Sequence, residues 1–356
     1  WRLENQITIF FISPIGLGHA TRDIAILEKL RFFNMSRPLI VSGLNACKMV
    51  SSLGYQVYDA YHPRRFTVND TMKLQYPLVW LLRYVMYHKK CKSIARKFVK
   101  ANTDGLIISD EDFASIAVGD QMKRKRVLIT DIIKTSFIKV PFLTKIESKM
   151  NRSMQEMIKK CDCVIIPSYG NDKDNLSYVG PIVRNLSTPD RTELRKKLAM
   201  NKKTIVVSIG GTDAGRFLIE RAINAHRKLQ NRLDTDMLVI SGPSLNLCNS
   251  SNDVRNVGLV ENLHEYIYAS DLLISLAGKS TIDESCVYGT PGIFIPIKNH
   301  FEQEENARMM GYKYEDIFNL QSLIEDKITT NNPRPAISTD QNGAQKAAMI
   351  IAELSK

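Results

Sequence analysis

Residues 256–307 read NVGLVENLHEYIYASDLLISLAGKSTIDESCVYGTPGIFIPIKNHFEQEENA. The apolar run Leu272–Leu276 predicts a short buried strand. Ala277-Gly278 breaks it, and a helix is expected from Ser280 or Thr281. Gly289-Thr290-Pro291 ends that helix, because glycine accepts a left-handed cap and proline cannot continue the hydrogen bonding. A second strand, Gly292 to Pro296, then a polar loop and a helix near Gln303 complete the stretch. Strand, turn, helix, twice over, is the pattern of a parallel α/β sheet. Ligands bind such sheets where loops leave the carboxyl ends of the strands. Gly278, Lys279, Ser280 and Thr281 occupy one such place, and His300 to Gln303 the next.

The spacing of the polar residues is as informative as the elements. It resembles the nucleotide-binding signature of glycosyltransferase family 28. That signature has G-x-x-T-x-x-E, then G-x-P, a strand ending in proline, and Q-x-x-N-A. Here these are Gly278, Thr281, Glu284, Gly289, Pro291, Pro296, Gln303, Asn306 and Ala307. The resemblance implies an α/β fold of two Rossmann-like, doubly wound domains facing a cleft, the GT-B fold. It also implies a UDP-sugar donor, with Glu284 on the ribose hydroxyls and the stretch Val260 to Leu263 on the uracil, largely through backbone groups. The residues themselves offer Glu284 a second role. Thr281-Ile282-Asp283-Glu284 has the form of a capping box, in which the glutamate serves only its own helix start.

Outward from this stretch, Thr204–Ile209 reads as a strand that Gly210-Gly211-Thr212 turns into a helix near Ala214. Such a loop suits a phosphate, and it resembles the family's G-G-[ST] loop. Asn262 followed three residues on by Glu265 marks a helix start. The first half repeats the theme. A strand, Gln6–Ser13, leads into Pro14-Ile15-Gly16-Leu17-Gly18-His19 and a helix from Thr21 to Phe33. No acidic residue closes the second strand, which ends in Ser42-Gly43, so a dinucleotide site is not expected. The loop resembles the family's N-terminal G-x-G-H, with Gly16, Gly18 and His19. Gly278-Lys279-Ser280 mimics the end of a Walker A loop, but Leu273 stands where that loop needs glycine.

Two strands of the first half, Gly105–Ser109 and Val127–Thr130, end in Asp110-Glu111-Asp112 and Asp131. Asp110 and Asp112 are candidates for catalysis or acceptor binding, and equally for capping the helices that follow. Val164–Pro167 is expected as the last strand of that half, with Cys161 and Cys163 on one face. Gly180-Pro181 and the following 185–190 read as a linker. Three segments are therefore expected: an acceptor-binding domain over 1–185, a nucleotide-sugar domain over 186–340, and a C-terminal helix over 341–356 that packs back on the first domain.

The chain has 356 residues and a net charge of +12. Residues 1–185 hold 29 Lys and Arg against 16 Asp and Glu, and the rest 20 against 21, so the whole excess sits in the first half. That distribution points to an anionic partner. Residues 71–103 contain no Asp or Glu; Tyr76–Tyr87 is apolar and aromatic, and Lys89–Lys100 supplies six basic residues. A helix of that kind can lie in a membrane interface, or be an ordinary helix with a solvated basic end. The run Lys123–Arg126 has no interleaved aromatics, so nucleic acid is not expected as a partner. Six cysteines without C-x-x-C spacing suggest a reducing, cytoplasmic setting, with attachment at the inner membrane face as an option.

The resemblance implies inverting, metal-independent transfer of an N-acetylhexosamine or hexose from a UDP-sugar to an acceptor hydroxyl. The acceptor is not specified and could be lipid-linked. A histidine titrates near neutral pH, which makes His19 the candidate base; its other role is to hold the loop or touch the diphosphate. Gly16, Gly18, Gly210, Gly211, Thr212, Val260, Leu263, Gly278, Lys279, Ser280, Thr281, Glu284, Gln303 and Asn306 are the candidate nucleotide-sugar contacts. Gln303 offers a donor and an acceptor on one amide. Lys279 would add a charge at the diphosphate. Backbone amides and helix N-termini carry a diphosphate without metal, so no metal and no cofactor are expected. A sugar-nucleotide epimerase on the same fold and a non-enzymatic nucleic-acid-binding module are the competing readings.

Overall fold

The computed structural model describes residues 7–33, 35–64, 66–102, 104–136, 144–211, 213–241, 254–330, 334 and 342–356. Strands and helices alternate through most of the chain. The first run is β1 (Ile9–Ile12), α1 (Gly18–Leu30), β2 (Leu39–Ser42), α2 (Leu44–Ser52) and β3 (Val57–Asp59). A hairpin of β4 (Thr67–Val68) and β5 (Leu74–Gln75) precedes the long helix α3 (Pro77–Ala101). Then come β6 (Ile107–Asp110), α4 (Phe113–Gln121), β7 (Arg126–Ile129), α5 (Thr144–Lys159), β8 (Cys163–Ile166) and β9 (Leu176–Tyr178). The second half runs α6 (Arg191–Lys197), β10 (Lys203–Ser208), α7 (Arg216–Leu229), β11 (Thr235–Ile240), β12 (Val254–Asn256), α8 (Leu263–Ala269), β13 (Leu272–Leu276) and α9 (Lys279–Val287). It closes with β14 (Gly292–Ile295), α10 (Phe301–Met309), α11 (Leu320–Thr329) and α12 (Ala344–Leu354).

The chain divides into two compact units. One takes Trp1–Phe66, Tyr76–Val183 and Asp340–Lys356, and the other Thr67–Gln75 and Arg184–Thr339. The first unit holds a seven-stranded sheet in the order β3-β2-β1-β6-β7-β8-β9. Its strand pairs are parallel throughout. The inner strand β1 is apolar on both faces because helices cover both, the usual signature of a buried parallel strand. Phe10 and Ile12 pack with α1, α2 and α12 on one face. Ile9 and Phe11 pack with α3, α4 and Tyr61 on the other. From α12, Ala344, Ala347, Ala348 and Ile351 are fully buried in the first of these clusters. Their i, i+3, i+4, i+7 spacing is the apolar stripe of an amphipathic helix.

The second unit holds a five-stranded parallel sheet in the order β12-β11-β10-β13-β14. The β4–β5 hairpin belongs to this unit. Leu74 N donates to Lys298 O at 2.9 Å and Lys298 N to Met72 O at 3.0 Å, so the hairpin is held to the segment following β14 by backbone bonds. Tyr314 OH adds a bond to Thr71 O.

Two expectations about the first half are corrected. β9 lies outside β8, so Val164–Pro167 is not the last strand there. The strand after α5 begins at Cys163. Cys161 lies before it and packs beneath α5, whereas Cys163 joins the opposite cluster. Among the described residues, no helix is long and apolar enough to cross a membrane.

Candidate functional sites in the two units

In each unit the strand order reverses between two neighbouring strands, and the crevice at their carboxyl ends is where an open α/β sheet binds ligands. In the first unit these are β1 and β6, whose last residues Ile12 and Asp110 are paired in register. The chain leaving β1 turns at Gly16, whose φ of +82° favours glycine. The α1 helix starts at Gly18, which puts His19 and Arg22 on one face, three residues apart.

Both side chains reach Asp110. Arg22 donates from Nε to Oδ2 at 2.6 Å and from Nη2 to Oδ1 at 2.5 Å, a two-pronged pairing of guanidinium and carboxylate. His19 Nδ1 lies 2.9 Å from the same Oδ1. Burial alone pushes the Asp110 carboxyl up, but Arg22 and His19 outweigh it and hold it well below the usual carboxylate range. An ionised carboxylate can only accept, which favours the tautomer with its proton on Nδ1, although Arg22 Nη2 also lies 3.2 Å from that nitrogen. The basic lone pair is then on Nε2. The Asp110 carboxylate is thus engaged by both Arg22 and His19.

Asp112 takes the second role named for it. It is the N-cap of α4, accepting from Ala114 N and Ser115 N at 3.2 Å each. The Tyr61 hydroxyl donates to it at 2.8 Å. Sequence reasoning singled out the outer members of Asp110-Glu111-Asp112 and passed over the middle one. Yet Glu111 Oε2 lies 3.7 Å from His19 Nε2. Arg22, which connects the cluster, was also missed; its i, i+3 relation to His19 was the one available signal.

In the second unit the reversal falls between β10 and β13, where Ser208 pairs with Ser275. Gly210, φ +65°, follows β10, and a side chain there would meet open space. Gly211 continues this loop; Thr212 lies outside the described residues. Gly278 is the N-cap of α9 and also borders open space. Lys279, Ser280 and Thr281 make the first turn of that helix. Lys279 Nζ pairs with the Asp283 carboxylate one turn on, at 2.5 and 2.6 Å.

The start of α9 at Lys279 corrects the capping-box reading of Glu284. Thr281 is already inside the helix and caps nothing. Glu284 is 2% exposed. Its Oε1 has no hydrogen-bond partner among the described residues. Burial raises its carboxyl from 4.5 to about 8, with Arg184 pulling the other way. A buried acceptor left unpaired is costly, and the hydroxyls of a ligand would supply what it lacks.

Val260 and Leu263 are partly exposed at the start of α8. Asn262 stands at the N-cap of that helix, and its amide bonds the Glu265 carboxylate at 2.7 Å. Arg184 Nη1 donates to Glu261 O at 2.7 Å, fixing the same loop. Beyond β14, Gln303 Oε1 accepts from Ile297 N at 3.0 Å. Its amide hydrogens and the second lone pair of that oxygen are what it could offer a ligand. Asn306 Nδ2 donates to Ala277 O at 3.2 Å and ties α10 to the glycine turn.

Residues 204–351 match the glycosyltransferase family 28 C-terminal domain. The chain is a glycosyltransferase, and its residues 204–351 are similar to that family 28 domain. It is 29% identical over 329 residues to an uncharacterized glycosyltransferase of Methanosarcina acetivorans, covering 85% of this chain and 82% of that one. It is 28% identical over 160 residues to the UDP-N-acetylglucosamine--N-acetylmuramyl-(pentapeptide) pyrophosphoryl-undecaprenol N-acetylglucosamine transferase of Desulforamulus reducens, covering 40% and 42% of the two chains. In fold it is similar to the kitacinnamycin glycotransferase, with a TM-score of 0.69 and 11% identity over 98% of this chain and 99% of that one. The glycosyltransferase therefore has the GT-B fold, with two Rossmann-like domains. Its family match spans Gly210, Gly278, Glu284, Gln303 and Asn306, whereas His19 and Asp110 lie outside it.

Proposed function

We propose that the protein transfers a sugar from a UDP-sugar to an acceptor hydroxyl with inversion, without a metal. The observation that carries this reading is the buried, unpartnered Oε1 of Glu284, on the helix that starts from the open turn at Gly278. The ribose hydroxyls donate to Glu284, and the amides at the start of α9 receive the diphosphate. The uracil lies on the backbone from Val260 to Leu263, and the Gln303 amide contacts the sugar. His19 Nε2 takes the proton of the acceptor hydroxyl as its oxygen attacks the anomeric carbon. The bond from that carbon to the diphosphate breaks, and UDP leaves with the electron pair. The developing charge falls on amide dipoles, so the chemistry needs no Lewis acid. Transfer to a uridine donor is supported by the named activity of the Desulforamulus relative.

The acceptor side of the reading rests on α3. Along its exposed face Val79, Leu82 and Met86 are 42%, 62% and 73% exposed. One to four turns further on the same helix exposes Lys89, Lys90, Arg96, Lys97 and Lys100. Apolar residues followed by an acid-free basic run match an anionic membrane surface, which is where a lipid-linked acceptor would be met.

A panel of nucleotide sugars tests the donor assignment by heat protection and by release of free nucleotide. Uridine donors should raise the melting temperature and be consumed once an acceptor is present. Protection by guanosine or adenosine donors alone would overturn the assignment.

A further inference from the structure

The cluster around His19 contains a carboxyl pair, Glu111 and Asp131, that the reaction outlined above leaves unused. Glu111 follows β6 directly and has φ +51°, a left-handed conformation that costs a non-glycine residue energy. Strain of that kind persists where the surroundings require the side chain to be in one place. Here the strained backbone aims the carboxyl at His19. Glu111 Oε2 is 3.7 Å from Nε2, the ring nitrogen opposite the one that Asp110 holds. Glu111 Oε1 accepts from Thr130 Oγ1 at 3.2 Å and from Asp131 N at 3.4 Å. Asp131 Oδ2 in turn lies 3.6 Å from Arg22 Nη1, and Arg22 Nη2 is 3.8 Å from Glu111. The imidazole is therefore bracketed by Asp110 on one side and by the Glu111–Asp131 pair on the other, with Arg22 joining both.

We propose that Glu111 is a positioning residue for His19: hydrogen-bonded to Thr130 and Asp131, it fixes the approach to Nε2 as a neutral acid. The inference rests on His19 being the base. Two carboxyls this close to one another do not both ionise readily. Burial, then Asp131, push the Glu111 carboxyl well above its ordinary range. Burial also raises Asp131, but Arg22 outweighs it and leaves Asp131 on the low side. The proton of the pair therefore resides on Glu111. The other titratable groups of this region belong to β6, α1, α3 and the α4 cap. Asp110 stays ionised against Arg22. Asp23, from α1, is raised by burial and by Asp110. Asp112 and Tyr84, from the α4 cap and α3, are both raised by burial. A neutral Glu111 lets His19 acquire the acceptor proton without a competing base in contact with Nε2.

The test is a set of single and double variants read by turnover, donor KM and nucleotide affinity. Glu111→Gln keeps a neutral donor of the same shape and should retain turnover within about threefold. Glu111→Gly removes the side chain where the backbone favours glycine, so the fold is not strained by it. It should lose roughly 10- to 100-fold in kcat, since misplacing a catalytic group by about an ångström can cost that much. Its donor KM and melting temperature should hold. Adding Glu111→Gly to His19→Ala should cost little more, because the two act through one step. A Glu111→Gln variant as impaired as Glu111→Gly would overturn the proposal, since Glu111 would then be needed as a charged base. So would wild-type kcat in Glu111→Gly. If His19→Ala itself leaves turnover intact, the assignment of the base fails instead, and that outcome is separate from the others.

Discussion

Glu284 converts its burial into a pH dependence. Its carboxyl is raised from 4.5 to about 8, burial being the main cause. Between those values the empty folded protein keeps a proton that the unfolded chain has released. Stability therefore falls as pH rises through that window. Glu284→Gln has no proton to lose, so its melting temperature should decline less than that of the wild type between about pH 6 and pH 8. Ribose hydroxyls bind an ionised carboxylate better than a neutral one. UDP should accordingly bind with release of up to one proton near neutral pH, and more tightly as pH approaches about 8. Titration calorimetry in buffers of different ionisation enthalpy measures that proton. A variant that releases as many protons as the wild type would remove Glu284 from the ribose. At His19, the alanine variant should lose roughly 10²–10⁴ in turnover with UDP affinity unchanged; a matched loss of affinity would make it a diphosphate contact. Glu284 was legible in the sequence, because its spacing from Gly278 and Thr281 is local. Its choice between cap and ligand was not, since that turned on two residues at the start of α9. Arg22 and Glu111 were out of reach for another reason. Their meaning depends on the end of β6 arriving beside α1, a pairing that no local pattern encodes.

Among the elements, α3 carries the clearest expectation for experiment. Its buried residues Leu81, Cys91, Ala95 and Val99 face the core, leaving the Val79–Leu82–Met86 stripe outward. Leu82→Ser with Met86→Ser should weaken sedimentation with anionic vesicles while leaving heat stability nearly unchanged, because the substituted side chains are exposed. Lys89→Glu with Lys90→Glu should do so more strongly at low salt than at physiological salt. Equal binding of the wild type to neutral and anionic vesicles would sink the idea. The helix was legible as an acid-free amphipathic run, but which residues it buries was not. A 25-residue helix shows only part of its length to any one partner. Cys161 and Cys163 mark a similar limit: alternate positions share a face only once a strand has begun, and β8 begins at the second of them.

For the molecule as a whole, the alternation of strand and helix specified two parallel sheets, because parallel neighbours need crossover helices and those turn one way. The β4–β5 hairpin left no such trace. Strands of two residues have no periodicity to read, and Pro77 only marks where the next helix starts. The C-terminal helix α12 was legible as a helix from its apolar spacing, and its worth can be measured. Ile351 is fully buried against the first sheet, so Ile351→Ala should cost roughly 2–5 kcal/mol. Denaturant unfolding of the full chain reads that loss; a change under about 0.5 kcal/mol would mean that α12 lies on the surface.

The hairpin and α12 also bear on the order in which the chain is made. Each unit has a piece encoded within or beyond the other's stretch, so neither can be finished as it leaves the ribosome. The hairpin emerges early, and its Leu74 N and Met72 O must wait for Lys298 before they meet their partners. The first sheet emerges early too, and one of its faces, covered in part by α1 and α2, is completed only when α12 arrives. Long-range pairings of this sort slow folding and prolong the exposure of apolar surface. A nascent chain stalled near residue 300 should therefore be cut readily by protease in regions that the released chain protects. For the same reason, two fragments divided near residue 185 should stay poorly folded apart and regain protection only when mixed.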